Sequence, residues 1–223
     1  MKKHIHIIND YFDKIYCLNL DKRKDRWIKT KKKLDEFGIN VERFPAIDGD
    51  DLTDEQLKKY DKINKYEIGC MLSHYGIIKE AKEKHYKRIL IFEDDVMFIE
   101  NFKSKFLQMI NKIPDWKLLY LGGSQHNWDD IEFIDDFYYT KHMSGCFAYA
   151  VDESIYDEIL NTNNINDKAI DYKLFDIQEK YHDKCYSCFP NLVICDVTES
   201  DIRKNRDMET HSIKMKWDLD KYK

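Results

Sequence analysis

The stretch Arg88-Ile89-Leu90-Ile91-Phe92-Glu93-Asp94-Asp95-Val96-Met97-Phe98-Ile99 decides how the rest of the chain is read. Four apolar residues run into three consecutive carboxylates, and four more apolar residues follow. A short Ile-rich run bounded by charge reads as a strand buried on both faces. The three acids then stand at or just past its carboxyl end. Neighbouring anions repel, and hiding an unpaired charge is costly, so water, a basic partner or a metal ion must compensate. The carboxyl edge of a central strand is also where open α/β sheets bind ligands. A hard divalent cation with oxygen ligands and open positions for phosphate fits such a place. The plain alternative is a solvated acidic turn in which one acid caps the next helix.

Composition sets the outer bounds. At 223 residues the chain is long enough for one domain with a sizeable core. Hydrophobic residues make up 43% and aromatic residues 14%, which marks a folded chain. Charged residues reach 35%, yet the net charge is only −5. That balance argues against a broad nucleic-acid surface, which needs a basic face, and suits a small anionic ligand held by a few local cations. No apolar run approaches the roughly 20 residues of a membrane span. Met1 to Asp10 begins with two lysines but has no sustained apolar core, so it does not read as a signal peptide. The expectation is therefore a cytoplasmic protein. The bias toward Lys, Ile, Asn, Asp and Tyr, with little Pro and Gly, suggests AT-rich coding, as in a large DNA virus or an AT-rich bacterium.

Of the six cysteines, only Cys185-Tyr186-Ser187-Cys188 has metal or redox spacing. No second close pair accompanies it, and Phe189-Pro190 leads into another apolar run rather than a helix, so reduced, buried structural thiols are expected.

The remaining pattern alternates strands and helices. Lys14 to Leu20 reads as the first strand; Trp27, Leu34 and Phe37 mark a helix that Gly38 stops. Val41 to Ile47 reads as a second strand ending in Asp48-Gly49-Asp50, and Thr53 with Gln56 resembles a capping box. Ile68, Met71, Leu72, Tyr75 and Ile78 give a longer helix its apolar face, and Asn101 to Lys112 carries another stripe. Trp116 to Leu121 is a strand that Gly122-Gly123 breaks, and Gly145 to Val151 is one more. Asp152 caps a helix over Glu153 to Leu160, Asn161 to Lys168 is a polar loop, and Asp171 to His182 is helical. Leu192 to Val197 closes the strand series, and the charged tail beyond Ser200 reads as irregular. The pattern predicts an αβα sandwich around a mostly parallel sheet. The glycine-rich phosphate loops and the G-x-S-x-G elbow are absent, so a bound nucleotide would depend on a metal and scattered cations.

The motifs, taken in order, resemble glycosyltransferase family 25, the group containing lipooligosaccharide and collagen hydroxylysine galactosyltransferases. The matching pieces are Ile15-Tyr16-Cys17-Leu18-Asn19-Leu20 followed by Arg23, Asp25 and Arg26; Phe44-Pro45-Ala46-Ile47-Asp48-Gly49; Gly69-Cys70-x-x-Ser73-His74; Phe92-Glu93-Asp94-Asp95-Val96; Ser144-Gly145-x-x-Ala148-Tyr149; Ile170-Asp171; and Ser200-Asp201-Ile202. Two departures stand out: Ala169-Ile170-Asp171 where the family often has Pro-x-Asp, and Cys146 where it often has Thr.

The resemblance implies a single GT-A-like, Rossmann-type domain over residues 1–223, with its motif-bearing core at about 14–203 and a charged tail at 204–223. It implies a UDP-sugar donor, Mn²⁺ or Mg²⁺, and a glycan or protein hydroxyl as acceptor, with galactose or glucose transferred. Asn19, Arg26, Asp48, Ser73, His74 and Gly145 would line the donor site, and Glu93, Asp94 and Asp95 would act as the DxD-type triplet. Asp95 would touch the metal, assisted by Glu93 or Asp94, and Asp171 would be the catalytic base, with Asp201 next in line. Plain readings remain for each: an N-cap region with a surface arginine, an Asp-Gly turn at Asp48, a satisfied buried His74, and a helix cap at Asp171. The helix macrodipole would hold the pKa of Asp171 low, and Arg26 or His74 changed to Ala would affect donor KM more than stability. Two competing functions are a haloacid-dehalogenase-like phosphatase, disfavoured because Glu93 stands where a nucleophilic Asp is needed, and a catalytically inert sugar-nucleotide-binding or interaction module.

Overall fold

The computed structural model describes residues 7–129, 131–165, 167–203 and 205–223. The first six residues, Asn166 in the polar loop and Lys204 in the tail lie outside the described residues. In chain order α1 (Ile7–Tyr11), β1 (Lys14–Leu20), α2 (Lys24–Glu36), β2 (Glu42–Ala46), α3 (Asp54–Lys59), α4 (Lys65–Glu83), β3 (Arg88–Glu93) and β4 (Val96–Phe98) come first. They are followed by α5 (Phe102–Ile110), β5 (Leu118–Ser124), β6 (Phe133–Ile134), β7 (Phe137–Tyr139), β8 (Ser144–Asp152), α6 (Tyr156–Asn161) and α7 (Ile170–Lys180). β9 (Cys185–Cys188), β10 (Val193–Cys195) and α8 (Met208–Met215) complete the series.

Local chemistry explains the boundaries. Thr53 and Gln56 form the reciprocal capping box expected at α3, and Asn64 with Glu67 forms a second one at α4 that the sequence reading missed. Gly38, at φ +63°, ends α2 in the left-handed region. Eight strands pair in the order β2-β1-β3-β8-β5-β9-β7-β6. β1 is parallel to β2 and β3, and β5 is parallel to β9, while β8 and β7 run against the rest. The period of two divides each central strand between two cores. Leu90 and Phe92 face one core with Leu34, Phe102 and Phe106, whereas Ile89 and Ile91 face the other with Ile68, Met71, Ile78 and Leu174. Helices therefore cover both faces of a mixed, mostly parallel sheet, which is the predicted αβα sandwich.

Three expectations change. Gly122-Gly123 does not end β5: the strand runs through to Ser124 with register shifts against β8. A Cβ on Gly122 would lie 1.8 Å from the Val193 carbonyl oxygen, so the glycine admits a close crossing by β10. Leu192 to Val197 does not join the main sheet; β10 pairs with β4 in a separate two-stranded sheet. In the tail, residues 205–223 are not irregular throughout. α8 leads to the buried Met215, Trp217 and Tyr222, and the amide and carbonyl of Phe98 exchange hydrogen bonds with those of Lys223 at 2.9 and 3.1 Å. Apolar residues spaced among the charges anchor it, and these were outweighed by overall charge in the sequence reading.

One core residue is unusual. Lys173 on α7 is fully buried, and its ammonium meets the Met71 sulfur at 2.9 Å and the ring faces of Tyr60 and Tyr75 rather than a carboxylate. Burial pulls its pKa from 10.5 down to about 8. Between those two values the unfolded chain holds this proton and the folded chain does not, so stability rises with pH across that window. Below it both states are protonated and the burial penalty is complete. Lys173→Met should raise the unfolding midpoint at neutral pH and flatten that alkaline rise relative to the parent. Urea unfolding of both proteins across the window measures this; identical pH slopes would contradict it.

Candidate functional site

β1 leads through α2 to β2 on one side, and the chain then returns through α3 and α4 to β3 on the other side of β1. The carboxyl ends of β1 and β3 therefore flank a topological switch point, where open α/β sheets form a crevice. Asn19 and Leu20 leave β1 there, Ala46 to Gly49 leave β2, and Glu93 to Asp95 leave β3. With Tyr66, Cys70 and Ser73 of α4 and Ser200 to Ile202, they line a hollow of about 650 Å³. A second hollow of about 820 Å³ continues from it, bounded by Ser124, His126, Ser144 to Phe147, Asp171, Arg203 and Arg206 among others. Cys70, Glu93, Asp95, Ser200 and Ile202 belong to both, so the carboxylates form the waist of one cleft.

The three acids have three different environments. Arg26 reaches from α2 beneath them, forming ion pairs with Asp94, with Asp95 at 3.1 Å and with Asp201 at 3.0 Å. Asn19 donates to Asp94 Oδ2 at 2.5 Å while its own Oδ1 accepts from Arg43 at 2.7 Å, and Thr30 donates to the Asp94 carbonyl at 2.5 Å. Burial nevertheless pushes the Asp94 carboxyl up, outweighing Arg26 and Asn19. The Asp95 carboxyl is pushed up as well, because burial and the neighbouring Glu93 charge together outweigh Arg26. Its Oδ1 is buried without a hydrogen-bond partner among the described residues. Glu93 is the most open of the three and faces His74, whose Nε2 stands 3.5 Å from Glu93 Oε1.

The other predicted residues divide between the two hollows. Asp48 lines the first, accepting from the Asp50 amide at 3.1 Å and pairing with Lys22 at 2.5 Å. Ser73 is fully buried; its hydroxyl donates to the Gly69 carbonyl at 2.7 Å and accepts from the Ile47 amide at 2.8 Å, clasping the end of β2 to α4. A Cβ on Gly69 would stand 2.5 Å from the Ile47 carbonyl oxygen, so the close approach that this glycine permits is by the chain's own backbone. Gly145, at φ +76°, lies in the second hollow and points its amide at Asp171 Oδ2, 3.3 Å away. Asp171 Oδ1 accepts from the Tyr172 amide at 3.0 Å. The expectation of a low pKa for Asp171 is overturned: burial raises it, outweighing both amides and the nearby Arg203. Arg26, expected to meet a nucleotide, lines the first hollow and is paired there with three carboxylates of its own chain.

Sequence reasoning missed Arg203, Arg206 and His126, which fold in from a segment read as irregular and from the loop after β5. It also gave Cys70 no role, although Cys70 and His74 stand four apart on a helix that it had identified.

A family model described as glycosyltransferase family 25 (LPS biosynthesis protein) matches residues 12–154. The chain is 35% identical over 129 residues to procollagen galactosyltransferase 2 of Homo sapiens, covering 50% of this chain and 21% of that protein. It is 34% identical over 137 residues to a glycosyltransferase 25 family member of Aedes aegypti, covering 54% and 23% of the two. A Rattus norvegicus relative named probable inactive glycosyltransferase 25 family member 3 is 31% identical over 134 residues, 52% of this chain and 23% of that protein. The matched part is thus less than a quarter of each relative's own length. Among solved structures, a glycosyltransferase involved in the glycosylation of the major capsid of PBCV-1 superposes with a TM-score of 0.52, covering 84% of this chain and 93% of that one. Sequence identity there is 13%, so the likeness is one of fold.

The position of Arg26 generates a prediction. Arg26→Ala leaves Asp94 and Asp95 without their cation and should cost about 3–5 kcal/mol of stability. Arg26→Lys keeps the charge but not the forked geometry and should recover only part of that loss. Denaturant unfolding of the two variants measures both; a loss under about 1 kcal/mol for Arg26→Ala, the range of an exposed pair, would refute the role.

Proposed function

The chain belongs to glycosyltransferase family 25, and from that premise we propose that it transfers galactose or glucose from a UDP-sugar to a hydroxyl of a glycan or protein acceptor, with inversion and with a divalent cation. The observation that carries this reading is the division of the cleft. Two hollows with different linings meet at Glu93 and Asp95, and Asp171 stands in the second one alone. Glycosyl transfer needs that division, because the leaving group and the attacking hydroxyl occupy opposite sides of the sugar.

The first hollow suits the nucleotide. Tyr66 offers a flat ring, Ala46 to Gly49 offer backbone groups, and the Asp48 carboxylate is polar without being deeply hidden. The second hollow suits the acceptor, with Ser124 and Ser144 as hydrogen-bonding hydroxyls beside Asp171. There the acceptor oxygen attacks the anomeric carbon as the bond to the diphosphate breaks. The electron pair leaves with UDP, and the hydroxyl proton passes to Asp171. The amides of Gly145 and Tyr172 each hold one of its two oxygens and fix its aim. Its raised pKa makes it a stronger base than a surface carboxylate.

The residues at the waist fit an oxygen-preferring cation such as Mn²⁺ or Mg²⁺. Asp95 Oδ1 is buried without a partner among the described residues, and Glu93 lines both hollows, so these two would hold it. When bound, such a cation supplies Lewis-acid stabilisation to the charge on the leaving diphosphate.

Relatives named inactive match nearly as well as those named for activity, so an inert sugar-nucleotide-binding module is the second reading. UDP release from a panel of UDP-sugars with Mn²⁺, with and without acceptor, separates the two. Turnover with UDP-galactose or UDP-glucose is expected; UDP binding without turnover of any UDP-sugar would leave the inert module. Asp171→Asn should lower kcat by roughly 10²-fold or more with little change in donor KM. The acidic limb of kcat/KM should fall above the ordinary Asp value of 3.8, with activity lost as pH drops through it. An α-linked donor should give a β-linked product, read from the anomeric coupling by NMR, and an α-linked product would sink the inverting mechanism.

A further inference from the structure

A second constellation shares the waist of the cleft. Cys70 and His74, four residues apart on α4, present their side chains on one helix face toward the end of β3. Cys70 Sγ, a ring nitrogen of His74 and a Glu93 carboxylate oxygen all lie within 4.8 Å of one another. His74 is fully buried, and its Nε2 has no hydrogen-bond partner among the described residues. A buried polar atom left unsatisfied is uncommon and calls for a ligand or a function. Glu93 Oε1 is 3.5 Å away, too far for a good hydrogen bond. On the other edge of the ring, Nδ1 and the Tyr149 hydroxyl are 3.1 Å apart. That hydroxyl can accept from Nδ1–H, which leaves Nε2 with a free lone pair pointing at Glu93. Cys70 lines both hollows, so the cluster is open to the cleft.

We propose that Cys70, His74 and Glu93 form a binding site for one thiophilic divalent cation of the Zn²⁺ class. Sulfur, imidazole nitrogen and carboxylate are the donor set such a cation prefers, and three protein ligands leave a fourth position open toward the cleft. Metal–ligand bonds of about 2.0–2.3 Å place neighbouring ligands roughly 3.3–3.8 Å apart. The His74–Glu93 pair already meets that spacing, at 3.5 Å. On binding, the Cys70 thiol releases its proton to solvent, and His74 ligates as the neutral ring. The thiolate and the Glu93 carboxylate then balance the charge of the cation. The site goes beyond the oxygen-ligated cation proposed above and competes with it for Glu93. Zn²⁺ is therefore an inhibitor of whatever chemistry the oxygen-ligated cation supports. Tyr149 is a positioning residue that fixes the ring and its tautomer.

The test uses the chain alone with Co²⁺ as a spectroscopic stand-in and Zn²⁺ as competitor. No sugar nucleotide is added, so the outcome is independent of the transferase reading. Co²⁺ should bind one ion per chain with an intense thiolate-to-cobalt charge-transfer band and a four-coordinate visible spectrum, and Zn²⁺ should abolish both. Cys70→Ser should lose the charge-transfer band. His74→Gln should lower Zn²⁺ affinity more than Tyr149→Phe, which should lower it about 10-fold. Metal-free unfolding midpoints of the variants establish that they fold, and the parent spectrum needs no variant. A parent spectrum showing only oxygen ligands, or a charge-transfer band that survives in folded Cys70→Ser, would overturn the site.

Discussion

A single buried guanidinium holds the cleft together. Arg26 is nearly hidden from solvent, and its ion pairs reach Asp94 and Asp95 at the turn after β3 and Asp201 in the segment that follows β10. Coulomb attraction in such a dry place is strong, but so is the cost of removing each ion from water, and only the full set of partners makes the arrangement stable. α2, the β3–β4 turn and the segment at Glu199 to Asp201 are thereby fixed to one another, with Arg23 adding pairs to Glu199 and Asp201 at 3.1 and 2.6 Å. The same cation sorts the acids. Asp94 is held by Arg26 and Asn19, Asp95 keeps one oxygen without a partner among the described residues, and Glu93 faces the cleft without an ion pair to Arg26 among them. Three neighbours in sequence thus acquire three separate capacities.

The fold was legible wherever periodicity and local chemistry agreed. Ile89 to Phe92 had to be a central strand, because an uninterrupted apolar run finds partners only when both of its faces are covered, and it separates two cores. The Thr53–Gln56 box and Gly38 mark helix ends through bonds made within a few residues. What could not be read depended on distant chain. Gly122 resembles a strand breaker until Val193 is seen crossing it, and β10 resembles a sixth strand of the series until β4 claims its edge. The tail reads as irregular because Trp217 and Tyr222 are few among many charges, yet those two rings are buried and anchor it.

The site was legible to the same degree and for the same reason. Residues at or just past strand ends, such as Asn19, Asp48 and Glu93 to Asp95, gather at the switch point because parallel strands deliver their carboxyl ends to one edge. Asp171 reaches the neighbouring hollow from a helix start, and only its burial, invisible in sequence, reverses the direction of its pKa. Arg26, placed by the sequence in the donor site, does line the first hollow, but its pairing with Asp201, 175 residues away along the chain, is invisible to local pattern. Cys70 and His74 were both in view, and their helical spacing carried a signal that the acid triplet overshadowed.

If the waist of the cleft joins a nucleotide to a cation, then the free oxygen of Asp95 is the atom on which that junction depends. Calorimetric titration of UDP into the parent chain and into Asp95→Asn, each with and without Mn²⁺, isolates it, since the amide keeps the shape and removes the charge. UDP should bind the parent tightly only when Mn²⁺ is present, and the substituted chain should lose that dependence together with most of its affinity. Equal binding of Mn²⁺ and UDP by the two chains would contradict the assignment.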